Sequence, residues 1–143
     1  TCTEAGVRRY RERISGPLMD RIDLQIDLPP VLFRELHEDA EPPMTSAEMA
    51  RQVRAARERQ NARFAACPGT YCNAQMTPAQ IRTFCELDAE TLSFLRDSFN
   101  RFHMTARAHD RVLRVAKTAA DLEGRDEITQ MDIITALMYR RKR

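Results

Sequence analysis

The sequence has no tryptophan, and aromatic residues make up only 6% of its 143 positions. A sandwich core built on aromatic and β-branched side chains is therefore a poor fit, and packing through Leu, Ile, Met and Ala favours helices. None of the four glycines precedes Lys-Ser or Lys-Thr, so the phosphate-cradling loop G-x-x-x-x-G-K-[ST] is absent. No apolar run approaches the ~20 residues of a membrane helix, so no membrane role is expected. Neither sign of charge dominates: Lys and Arg number 23 against 21 Asp and Glu, a net +2. Any binding to an acidic partner must then rest on a local patch. The opening Thr1-Cys2-Thr3 has neither an initiator Met nor a signal-peptide pattern, and the expectation is a piece of a longer cytoplasmic chain. Cys2, Cys67, Cys72 and Cys85 are then read as reduced thiols.

What is present is mainly helical grammar. Residues 4–14 form a helical stretch that Ser15-Gly16-Pro17 breaks. In residues 22–28, Ile22, Leu24, Ile26 and Leu28 alternate with polar side chains before Pro29-Pro30, the period of a β-strand. A single strand needs neighbours, so its sheet is expected to lie upstream of this chain. Residues 35–41 read as a short helix fraying into an acidic loop before Pro42-Pro43, the predicted boundary between residues 1–43 and 44–143.

Beyond it, helix starts recur. Thr45 with Glu48 and Thr77 with Gln80 make capping boxes, Asp88 and Thr105 are N-caps, and Thr129 with Asp132 opens the last helix. Helices are expected from residue 46 to 64, from 106 to 122 and up to about Tyr139, with Leu92, Leu95, Phe99 and Phe102 as one buried stripe. The result is a bundle of about five helices following one helix and one strand.

Several polar residues have two readings at this level. Arg21, at the mouth of the strand, is either a surface arginine paired to Asp20 or Asp23, or a planar fork projecting toward phosphate. Arg107, in the first turn after Thr105, is either part of a solvated stripe with Arg111, Arg114 and Thr118, or a cation beside the anion-favouring end of a helix. The helix from residue 46 carries Arg51, Arg54, Arg57, Arg59 and Arg63 against Glu48 and Glu58. That is a solvated, salt-bridged helix or a surface for DNA phosphates, with no motif for reading bases. Cys67 and Cys72, with Cys85 and His103 beyond them, lack the paired spacing of a zinc site, and no metal site is expected.

The run Arg9-Tyr10-Arg11-Glu12-Arg13-Ile14-Ser15-Gly16-Pro17-Leu18-Met19-Asp20-Arg21-Ile22-Asp23-Leu24 resembles a segment of the magnesium-chelatase-like AAA+ ATPases of the bacterial ComM type, or YifB group. Cys72-Asn73-Ala74-Gln75-Met76 and the stretch from Ala106 to Leu122 resemble later motifs of the same group, in order. The resemblance implies that residues 1–43 are the C-terminal remnant of an AAA+ ATPase core, with its last strand, and that residues 44–143 are the helical lid. It also implies a hexameric ring of identical subunits that uses ATP and Mg in the parent chain, with DNA as a partner and none of these cofactors bound by this piece alone. Arg21 then matches the arginine finger reaching a neighbouring subunit's γ-phosphate, and Arg107 matches the sensor-2 arginine. Cys2 becomes a candidate last ligand of a metal loop lying upstream. Two other readings stay open: a non-enzymatic helical module that binds nucleic acid or protein, and an ATPase subunit of a true magnesium chelatase.

Overall fold

The computed structural model describes residues 3–11, 13, 15–19, 21–31 and 44–140. The acidic helix expected at 35–41, Cys2, Ile14, Asp20 and the tail 141–143 lie outside the described residues. The protein is mainly helical: α1 (Glu4–Arg11), α2 (Gly16–Met19), α3 (Ser46–Arg63), α4 (Pro78–Phe84), α5 (Ala89–Arg101), α6 (Ala106–Leu122) and α7 (Gln130–Met138). A 3₁₀ turn, Asn73–Gln75, lies between α3 and α4.

The helices begin where local chemistry supplies the missing backbone partners. Glu48 N–H donates to Thr45 Oγ1 while Thr45 N–H donates to Glu48 Oε2, and Thr77 with Gln80 repeats the exchange. Their ends are equally local. After α6, Arg125 N–H reaches Ala120 O and Gly124 N–H reaches Asp121 O, a Schellman closure that needs the left-handed backbone of Gly124 (φ +74°). The same closure ends α5, with His103 in the left-handed position (φ +46°) and Met104 N–H donating to Phe99 O.

Helix α6 is the hub, touching α3, the 3₁₀ turn, α4 and α7, while α5 lies on α7. Ala116 and Ala120 on α6 are fully buried, and side chains this small let neighbouring helices approach closely. Met76, Ile81, Leu95, Val112 and Ile133 fill the space between. The α5 stripe differs from expectation. Its buried line is Thr91, Leu95 and Ser98, and Leu92 and Phe102 are exposed, because α5 turns a narrower, partly polar face toward α7 than a purely apolar reading allows.

Residues 22–28 form no strand among the described residues. Ile22, Leu24, Ile26 and Leu28 are exposed, while Asp23 and Gln25 are half-buried. A ladder requires a second strand, and the described residues offer this segment only one backbone bond, from Gln25 N–H to Tyr139 O at 2.8 Å.

The start of α7 carries a pH-dependent element. Asp132 is buried, accepts two bonds from Arg125 at 2.9 Å, and accepts from Thr129 N–H at 2.8 Å. Burial by itself pushes this carboxyl up, but the Arg125 and Thr129 bonds outweigh it and hold it below the ordinary range. A carboxylate lowered in the fold stabilises fully above its unfolded value of about 3.9, and that contribution is lost as pH falls through the folded value. Asp132→Asn is expected to lower the urea midpoint at neutral pH, with wild type and variant converging as pH falls through and below the folded value.

Candidate functional site

The two arginines singled out from the sequence lie on either side of one ion pair, between Asp23 in the segment after α2 and Arg111 of α6. Arg21 closes the last turn of α2, its N–H donating to Leu18 O at 2.9 Å, and its side chain is exposed with no partner among the described residues. Two residues on, Asp23 Oδ1 lies 3.1 Å from Arg111 Nε of α6. Asp23 therefore engages α6 rather than its near neighbour Arg21. Arg107 lies one turn before Arg111, exposed, in the first turn of α6.

The start of α6 is electrostatically unusual. Thr105 Oγ1 accepts from Ala108 N–H at 3.2 Å, and no acidic residue occupies the first turn. A cation at the positive end of a 17-residue helix is unfavourable until an anion arrives, so this terminus is suited to phosphate.

The stripe containing Arg107 is not uniformly solvated. Arg111 is half-buried against Asp23, and Arg114, also half-buried, donates to Met76 O at 2.6 Å. Thr118 Oγ1 bonds back to Arg114 O at 2.8 Å and receives Asn73 Nδ2 at 3.1 Å.

The arginines of α3 divide likewise. Arg51, Arg54 and Arg57 are exposed, on a helix whose residues 46–55 lie almost wholly in solvent. Arg59 turns back to Asp126 at 3.0 Å and to Gly124 O. Arg63 is buried, contrary to a solvated reading of the whole helix: its side chain is 8% exposed and meets Asp121, itself 0% exposed, through bonds of 2.9 and 2.5 Å. The Asp121 bonds raise the Arg63 guanidinium further above its ordinary value against the opposing effect of burial.

Sequence reasoning missed the network to which Arg63 belongs. Asn73 joins Arg63 through Oδ1 (2.9 Å) and Asp121 through Nδ2 (2.7 Å), and its N–H reaches Gln60 Oε1 (3.3 Å). Beside it Lys117, buried on α6, donates to Asp126 O, and burial followed by the nearby Arg63 pulls its amine below the ordinary value. Burial also pushes the Cys85 thiol up to about 11, which makes it a poor nucleophile. The missed signal was the alternation of charge with small apolar residues, Ala116-Lys117 and Ala120-Asp121, on the buried side of α6. Among the described residues no group of His, Cys, Asp or Glu is arranged to hold a metal, and no helix is long and apolar enough to cross a membrane.

The described residues form an all-helical bundle, with an exposed arginine at the start of α6 and another two residues before the Asp23 that is pinned to that helix. Residues 43–140 match the family described as magnesium chelatase, subunit ChlI C-terminal, and residues 1–36 match magnesium chelatase, subunit ChlI. The chain belongs to this family. Within it the chain is 35% identical over 139 residues to the uncharacterized protein YifB of Escherichia coli, covering 97% of this chain and 26% of that protein. It is 34% identical over 134 residues to the competence protein ComM of Haemophilus influenzae, covering 94% and 25%, and 33% identical over 139 residues to YifB of Salmonella typhimurium, covering 97% and 26%. The chain thus spans about a quarter of the length of these relatives and is of the ComM/YifB type.

Proposed function

We propose that this chain is the C-terminal part of a ring-forming AAA+ ATPase, with residues 1–43 ending the ATPase core and residues 44–143 forming its lid. In this reading Arg21 is the finger acting on ATP held by a neighbouring subunit, and Arg107 is the lid arginine that senses the nucleotide. The observation that carries it is the exposed Arg107 at the positive end of α6, unopposed by any first-turn acid. The fit to ATP is confined to its phosphate end: the chain offers cations there, and the loop that cradles phosphates and holds Mg would come from another part of the parent protein. Magnesium, when bound with ATP, neutralises charge across the transferring phosphates. Arg21 and Arg107 would add fixed positive charge where negative charge develops.

The relative named competence protein ComM supports a role in competence, and the same proposal has turnover coupled to DNA remodelling during transformation, in a cytoplasmic hexamer. The test is ATP hydrolysis by the full-length parent. Arg107→Ala is expected to lower turnover by about tenfold or more, with the bundle melting as in wild type; unchanged turnover would remove Arg107 from the site.

The exposed arginines of α3 favour a second reading, a helical module that holds nucleic acid by its backbone. If they touch phosphate, replacing Arg51, Arg54 and Arg57 together by Ala is expected to reduce the log–log salt slope of DNA affinity by about 0.9 for each phosphate no longer neutralised. ATP turnover without DNA should be unchanged. If DNA affinity survives in the Arg21→Ala/Arg107→Ala variant while parental ATPase is untouched, the module reading takes precedence.

A further inference from the structure

We infer that Asp23 and Arg111 form a latch that positions Arg21 relative to Arg107, an inference that rests on the ATPase reading above. The pair joins residues 88 positions apart in the sequence, with Arg111 Nε 3.1 Å from Asp23 Oδ1. Arg111 is held rather than loose, with 13% of its side chain exposed against 43% for Asp23. A second tie lies two residues further on, where Gln25 N–H donates to Tyr139 O just past the end of α7. That bond satisfies a carbonyl that a helix end otherwise leaves unpaired. Two ties of different kinds, one ionic and one backbone, fix the segment in both position and direction against α6 and α7.

The geometry ties the two arginines together through this pair. Arg21 is two residues from Asp23, at most ~7 Å along an extended chain. Arg107 is four residues from Arg111 on one helix, ~6 Å along the axis. A tilt of α6 is therefore transmitted to the finger segment while the latch is closed.

The seam also differs from the welded part of the bundle. Around Asn73 the buried polar groups bond to one another, whereas Asp23 Oδ1 and Gln25 Oε1 are buried without a hydrogen-bond partner among the described residues, so the Asp23–Arg111 contact is an ion pair alone. Such a seam can be remade without opening the apolar core, which suits a contact that moves during turnover.

The test uses the full-length ATPase. Asp23→Ala and Arg111→Ala are each expected to lower kcat at saturating ATP by about tenfold, with KM for ATP within about twofold and the melting temperature within about 4 °C of wild type. The double variant should be no slower than the slower single, because both remove the same ion pair, and Asp23→Glu should recover much of the loss. Additive losses, or a fall in melting temperature that accounts for the reduced activity, would overturn the latch in favour of a merely structural pair. If Asp23→Ala and Arg111→Ala turn over normally while Arg21→Ala and Arg107→Ala do not, the latch fails and the ATPase reading survives. If all four turn over normally, that reading fails and takes the latch with it.

Discussion

Arg21→Ala in the full-length parent is expected to lower ATP turnover by ~10³-fold or more while nucleotide binding survives, the scale on which arginine fingers act in the systems where they have been quantified. The effect should fall on turnover because a finger meets charge that develops only as the phosphoryl group transfers, so its removal affects the transition state more than the ground state. The fold should tolerate the change. The Arg21 side chain is exposed, and the N–H that bonds to Leu18 O belongs to the backbone, which alanine retains. Action between subunits has its own signature: mixing Arg21→Ala with a P-loop-dead subunit should restore part of the activity, since some interfaces then pair an intact finger with an intact loop. If Arg21→Ala hydrolyses ATP at the wild-type rate, the assignment is wrong and the nucleic-acid module moves to the front.

The largest effect on stability is expected at Asp121. Its carboxylate is fully enclosed and receives Arg63 twice and Asn73 once. Asp121→Ala removes the enclosed carboxylate from the buried Arg63 guanidinium, leaving it Asn73 Oδ1 and the exposed Asp126 carboxylate at 3.8 Å, and strands one amide N–H of Asn73. Breaking a buried ion pair on one side costs about 3–5 kcal/mol, a large part of the roughly 5–15 kcal/mol that holds a domain folded. Urea unfolding of this chain should show that loss. The double change Arg63→Met/Asp121→Leu should lose much less, because it removes both charges instead of one. Equal losses in the single and double variants would mean that packing volume matters at this position and the charges do not.

These two residues differ in how far the sequence could identify them. Arg21 was marked by a motif sixteen residues long, and its exposure is what a surface role requires. Asp121 was read only as part of a motif, and nothing within a few residues shows that it meets Arg63, 58 positions earlier, or Asn73, 48 earlier. The motif around Asn73 was visible, but its role was not. In the fold it is a structural junction in which one side chain joins α3 to α6 and the 3₁₀ turn.

The amino-acid sequence alone determined where most helices start and stop. A capping box such as Thr45 with Glu48, or a glycine at a left-handed position such as Gly124, acts within three to five residues, and that chemistry is unchanged by what packs later. Helical periodicity also made the protein mainly α. Only the tertiary structure decided which face of α5 is buried, which α3 arginines reach solvent, and that Asp23 pairs with Arg111. Burial and long-range pairing depend on which surfaces meet, and the free energy of a charge changes sign with that choice: Arg51 is solvated in water, while Arg63, twelve residues along the same helix, is held inside by Asp121.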